Sequence, residues 1–396
     1  MSISIEEILY ALYHFPLALT SPFISWYFFF GLSERDFIGS GLIIAIPYFF
    51  LIFSTRFFGR LSDKIGSKNL VLISLGTTSV SFMFYFIIED KFLFFLLYIC
   101  FNIVISAFNP ALNRLMSFYK EERAEKFGRF GMMASIGFLW GSIFAAIAFT
   151  YSSNTVDTFR LMFLIAMIIS IIPVLFAFRL KETPLGILNI HASICQSNQT
   201  TIVTQEINQP MRTVIVLFVI ITLINISSSF YVNFFTIFVQ DELNHNVSFI
   251  ASANSIATLL GVFVTYFIGK IADNFQKKKP FILFATILYT LFPLFIYILR
   301  DPMIIFLLYC LPFYAILFVI APIFISENSL ETRRGQVMGY YIGSQYFGLT
   351  LGTIGGGILA SITGLVSPNF LAGAFIGLLG IVICLFMFRE SSEDEG

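Results

Sequence analysis

Charge is scarce in this chain, and it is missing where a soluble protein would carry it. Lys, Arg, Asp and Glu together make up 12% of the 396 residues, about half the share of an ordinary soluble domain. None of them falls near the middle of a long apolar run. Metal chemistry lacks ligands: the four cysteines, Cys100, Cys195, Cys310 and Cys384, show no paired spacing, and His14, His191 and His245 are scattered. No nucleophile stands beside a base, so neither enzyme activity nor a cofactor nor a metal is expected. A phosphorylated solute would need a buried basic clamp, and the apolar runs offer none.

What remains is 58% hydrophobic and 18% aromatic, with 51 phenylalanines and a mean hydropathy of +0.88. That is an integral membrane protein, because each apolar run has the roughly 20 residues a helix needs to cross about 30 Å of hydrocarbon. Twelve such runs are read at about 6–30, 37–57, 69–88, 92–117, 128–150, 159–179, 213–239, 247–268, 281–299, 303–326, 336–361 and 368–388. The first run is too long for a cleavable leader, lacks a basic start and leads into a second span. Of the 23 basic residues, all but Arg35, Lys91, Arg160 and Arg300 fall on the side that carries both termini. The positive-inside rule then places both termini in the cytoplasm of a multi-pass protein of the inner or plasma membrane.

Between Lys181 and Met211 the composition shifts to Asn, Gln, Thr and Ser without hydrophobic period, which marks a linker. Features on either side of it repeat at a nearly constant offset. Gly59 and Asp63 return as Gly269 and Asp273, the run Phe95 to Tyr98 as Phe306 to Tyr309, Pro110 as Pro322, and Gly128, Gly137 and Gly141 as Gly339, Gly348 and Gly352. A duplicated six-helix unit accounts for the common order. The expected organisation is a bundle over residues 1–180, a cytoplasmic linker over 181–211, a second bundle over 212–388 and an acidic tail over 389–396.

The stretch after the second run, GRLSDKIGSKN, carries Gly59, Arg60, Asp63, Lys64 and Gly66. It is close to the signature G-x-x-x-D-[RK]-x-G-[RK]-[RK], with Ser67 at one basic position. The second copy keeps Gly269 and Asp273 and has Gln276 where the second glycine would stand. On these residues the chain resembles the major facilitator superfamily over essentially all twelve spans, and is nearest in character to its drug-efflux members. The resemblance implies an all-α membrane protein of twelve transmembrane helices in two pseudo-symmetric six-helix bundles around a central cavity. It departs from proton-drug antiporters at two places: Tyr98 stands near the position of a fourth-span arginine, and the fifth-span antiporter motif survives only as GFLWGSIFAA, Gly137 to Ala146.

Basic residues alone would hold the charged loop in the cytoplasm, but that does not account for a recurring aspartate. Gly59 is expected to admit a neighbouring backbone, and Gly66 to take a positive φ in a tight turn. Asp63 is then a placed charge aimed at the start of the eleventh helix near Gly335, with Asp273 facing the start of the fifth near Gly128. In the family the equivalent loop is associated with switching between inward-open and outward-open states.

Neutral polar residues supply the candidate cavity lining. Asn102, Ser106, Asn109 and Asn113 share one face of the fourth helix; Asn225, Ser229 and Asn233 do so on the seventh; Tyr341, Gln345 and Gly348 repeat the pattern on the eleventh. Such stripes also serve as plain interhelical bonds. Trp140 and Tyr314 are candidate stacking surfaces. His14 is the titratable side chain well inside a span and the candidate proton carrier, ahead of Glu6, Glu7 and Glu327 at the edge. The expected protein is a monomeric secondary transporter that exports a small neutral or amphipathic organic solute by alternating access. Uptake or facilitated diffusion of a sugar-like neutral metabolite is the alternative, ahead of a non-transporting membrane sensor or an intramembrane enzyme. Its partners are that solute, the lipid bilayer and a coupled proton, with no nucleic acid.

Overall fold

The computed structural model describes residues 4–32, 35–117, 123–152, 155–180, 208–274, 277–328 and 334–388. The expected linker, 181–211, lies almost wholly outside the described residues, and the tail, 389–396, entirely so. Twelve helical segments are long and apolar enough to cross a membrane, from Ile5–Leu32 to Ser367–Phe386. Boundaries follow local chemistry. Ser4 caps the first helix in a reciprocal box with Glu7, while Asp36, Asp90 and Asp301 accept backbone N–H groups at the starts of the second, fourth and tenth.

The charged stretch after the second span is not a loop. The second helix runs unbroken over Phe37–Ile65 and the third begins at Ser67, so the connection is Gly66 alone, at φ 87°. Helix continues past the apolar run because Arg60 and Lys64, four residues apart and both exposed, give it a charged face for water. The positive φ expected at Gly66 is present. A close backbone at Gly59 is not: a side chain there would meet nothing within 4 Å.

Eight spans are continuous among the described residues; the first, fourth, seventh and tenth are broken. The first changes to a short 3₁₀ turn at Ser21–Phe23 around Pro22, and the tenth stops at Tyr309 and resumes at Tyr314 around Pro312. The fourth breaks between Ile105 and Phe108, just before Pro110. The seventh breaks between Val232 and Phe235, with no proline at the gap.

Glycine sets the closest helix contacts, and it does so twice in the same way. Gly137 and Gly141 of the fifth span lie on the backbone oxygens of Ala11 and Phe15 in the first. Gly348 and Gly352 of the eleventh lie on those of Thr222 and Ile226 in the seventh. Each member of the second set is 211 residues after its counterpart. The repeat read from the sequence is thus a repeat of backbone contacts, as small residues at membrane helix seams allow.

The cores show how the halves meet. One aromatic-rich core joins residues of both halves, from Phe23, Phe29 and Phe163 to Tyr231, Phe238 and Phe370, at the face opposite the termini. Toward the termini the core divides: Leu9, Leu70 and Phe108 belong to one cluster, and Leu217, Ile282 and Phe324 to another. The halves are therefore packed together at one face and separately cored at the other.

Candidate functional site

A cavity of about 140 Å³ opens in the second half, lined by Asn225, Tyr289, Tyr314, Tyr341 and Gln345 with apolar walls including Ile224 and Leu317. Four spans supply these residues, two of them the broken seventh and tenth. No ionisable acid or base other than tyrosine lines it. Gln345 donates from Nε2 to the Tyr341 hydroxyl at 2.9 Å. Asn225 donates from Nδ2 to the Ile221 carbonyl at 2.8 Å, and since a carbonyl only accepts, its amide orientation is fixed.

His14 occupies the equivalent place in the first half. It lies 211 residues before Asn225, and its Nδ1 is 2.9 Å from the carbonyl of Tyr10, itself 211 residues before Ile221. That carbonyl requires the proton on Nδ1, which leaves Nε2 with a lone pair. Both side chains sit over a seam glycine, His14 over Gly137 and Asn225 over Gly348. The rings of Tyr10, Tyr13 and Phe138 surround the imidazole at 4.4, 5.1 and 5.4 Å. The constant offset pairs His14 with Asn225 in the sequence itself, as it does the seam glycines.

The polar stripes divide among several environments. On the fourth span, Asn102 donates to the Tyr98 carbonyl at 2.8 Å, and Ser106 bonds the Ser54 hydroxyl at 3.0 Å, tying the fourth span to the second. Asn109 is exposed and accepts from the Tyr10 hydroxyl at 3.4 Å. The side chain of Asn113 lies outside the described residues. On the seventh, only Asn225 reaches the cavity. Ser229 is buried with its Cβ against Gly352, and Asn233 donates to Thr353 of the eleventh span at 2.6 Å, the contact that accompanies the helix break. Tyr314 lines the cavity with its hydroxyl against Gly261. Trp140 does not line it: its side of the fifth span continues through Phe144, Ile147 and Tyr151, all exposed. The side chains of Asp63, Gly269 and Asp273 lie outside the described residues, as do their expected targets; Arg60 and Lys64 are exposed.

The face opposite the termini is closed by contacts that sequence reading missed. Trp26 donates through Nε1 to Gln240, Arg35 pairs with Asp241 at 3.0 Å, and Gly41 of the second span lies against Phe234 and the Thr353 carbonyl. Asp36 accepts from Gly39 and from Lys91 at 2.9 Å. Partial burial opposes its ionisation, but these bonds prevail and hold the carboxyl below its ordinary value of 3.8. No cluster of three metal-ligating side chains occurs among the described residues.

A helical chain with twelve spans, broken at every third one, and an uncharged cavity is the build of a solute carrier. The chain matches the sequence profile of the Major Facilitator Superfamily over residues 8–313 and 217–396, and it belongs to that family of transporters. Among solved structures, a POT family transporter in complex with 5-aminolevulinic acid superposes with a TM-score of 0.77 at 14% identity, covering 98% of this chain and 96% of that one. A mutant of the nucleoside transporter NupG gives 0.74 at 16% identity, covering 98% and 100%. The xylose transporter XylE from E. coli, in an inward-open conformation, gives 0.69 at 14%, covering 97% and 94%. No curated protein sequence matches significantly. At these identities the likeness is one of fold.

Proposed function

We propose that this transporter moves a small neutral or amphipathic organic solute by alternating access, as an exporter, with bundles over 1–180 and 212–388 rocking about the seam between them. The observation that carries the reading is the uncharged, tyrosine-rich cavity beneath two broken helices. Broken helices commonly border the solute sites of membrane carriers. Fusion of the cores at one face and their separation at the other supports a rocking cycle, with this conformation as one end. With the termini in the cytoplasm, the open end faces inward. Asp63 and Asp273 close the cytoplasmic face in the opposite state, and His14 carries the coupled proton. Asn225 and Gln345 favour a second reading, uptake of a sugar-like solute through hydrogen bonds.

Reconstitution tests it. Proteoliposomes holding the purified protein and an internal or external panel of lipophilic amines, alcohols and pentoses are given an imposed pH gradient, and movement is followed in both directions. Proton-driven expulsion of amphipathic solutes is expected. Pentose accumulation without amphiphile movement would replace this reading with the second, and movement of neither would overturn both.

A further inference from the structure

Resting on the proposed solute site in the second half, we infer that its preferred ligand is a small organic ammonium with an aromatic or compact apolar body. Three observations lead there. The first concerns hydrogen-bond polarity. Asn225 commits one amide N–H to the Ile221 carbonyl, so Oδ1 is left as an acceptor beside the second N–H of Nδ2. Its counterpart His14 does the same with Tyr10 and is left with the Nε2 lone pair. Asn102 commits its Nδ2 to Tyr98 in the same fashion. Three polar side chains thus spend a donor on their own helix, and each keeps an acceptor atom.

The second is the wall. Tyr289, Tyr314 and Tyr341 come from three different spans and line the same cavity as Asn225, with Phe318 beside them. Rings converging from several directions attract a cation through their negative faces, and quaternary and protonated amines are bound in this way elsewhere without a carboxylate. No lysine or arginine lines the cavity to repel one. A carboxylate ligand would meet the same ring faces with no lysine or arginine among the lining residues to pair it.

The third is size. At about 140 Å³ the cavity is close to the roughly 150 Å³ that accommodates benzene in an engineered apolar core. A single ring on a short chain is of the size that fills it. An ammonium beside the Asn225 Oδ1 with its ring against the tyrosines uses every lining type.

Isothermal titration of the full-length protein in detergent with three probes that share a phenyl ring and a two-carbon linker tests the inference: 2-phenylethylammonium, 2-phenylethanol and 3-phenylpropanoate. The ammonium is expected to bind about tenfold more tightly than the alcohol, and the carboxylate most weakly. Asn225→Leu should bring ammonium and alcohol to within about twofold. Asn225→Asp, which restores the acceptor and adds charge, should strengthen the ammonium preference and confirms that the position tolerates change. Equal affinities, a preference for the carboxylate, no binding of any probe, or an undiminished ammonium preference in Asn225→Leu would overturn the inference. Transport of the alcohol with no ammonium preference would reject it while leaving the solute-carrier reading in place.

Discussion

Alanine placed at Gly348 tests the seam that positions the cavity. A β-carbon there would stand 2.6 Å from the Thr222 carbonyl oxygen and 2.8 Å from the Asn225 Cβ, against the 3.4 Å at which ordinary contact begins. The shortfall of about 0.8 Å falls on backbone, which cannot turn aside as a side chain does. Overpacking of this kind costs about 1–3 kcal/mol, and alanine returns up to about 1 kcal/mol in helix propensity. The net is a loss of up to about 2 kcal/mol. The same helix supplies its own control. Gly339 has nothing within 4 Å of its added carbon, so Gly339→Ala keeps the propensity gain alone and should be neutral or stabilising. Thermal unfolding of the two purified variants in detergent, read by a thiol-reactive dye, should place Gly348→Ala below the parent and Gly339→Ala at or above it. Because the displaced neighbour is Asn225, solute affinity should also fall in the first variant only. Gly348→Ala as stable as Gly339→Ala would refute the close seam.

Asp63→Asn should impair transport with expression and insertion nearly intact; turnover equal to the parent's would leave those charges a purely topological duty. Single cysteines at Asn225 and Asn109, in a background without the native four, should react with a water-soluble thiol reagent, whereas cysteines at Ser229 and Asn233 should be protected by Gly352 and Thr353. Equal labelling at all four positions would contradict the division of the stripes. Asp36 has a lowered folded-state pKa, so its contribution is present above about pH 4 and lost as pH falls below 3.8. Asp36→Asn keeps the helix cap and loses only a partly exposed pair, about 0–1 kcal/mol, while Asp36→Ala also loses the cap, about 0.5–2 kcal/mol; acid-unfolding midpoints compare them.

Length and hydropathy are local properties, which is why all twelve spans could be read from the chain. Helix breaks are local where proline makes them, as at Pro22, Pro110 and Pro312. The seventh-span break is not, because it accompanies a bond from Asn233 to Thr353, 120 residues away. The stripes divide for a related reason. Spacing places Asn225, Ser229 and Asn233 on one helix face, but it does not say how close the neighbouring helix lies along that face. Both Asn225 and Ser229 lie over a seam glycine, but Asn225 lines the cavity and Ser229 is buried against Gly352, a difference set by the neighbouring spans and not by spacing. Trp140 could not be placed from sequence, since lipid and an aromatic cavity wall are equally apolar surroundings. The charged stretch reads as a loop in the sequence but is helix up to Ile65, because hydropathy marks where a membrane ends, not where a helix does.

The repeat also sharpens the test of proton coupling. Glutamine at position 14 would remove the titrating group, but its longer chain need not reproduce the bond from Nδ1 to the Tyr10 carbonyl. Asparagine has a precedent in this molecule: at the equivalent position Asn225 donates to the equivalent carbonyl, over the equivalent glycine. His14→Asn should therefore keep the helix contact and the acceptor atom and lose only the exchangeable proton. Its thermal stability should stay close to the parent's, and downhill exchange of solute should continue. Uphill movement driven by a pH gradient should disappear, because no carboxylate, lysine, arginine or second histidine stands in that part of the first span. The two outcomes separate cleanly in the same proteoliposomes. If His14→Asn still moves solute against its gradient at the parent's rate, the proton travels by another group, and Glu7, buried at the mouth of the same span and 3.9 Å from Arg129, becomes the residue to test.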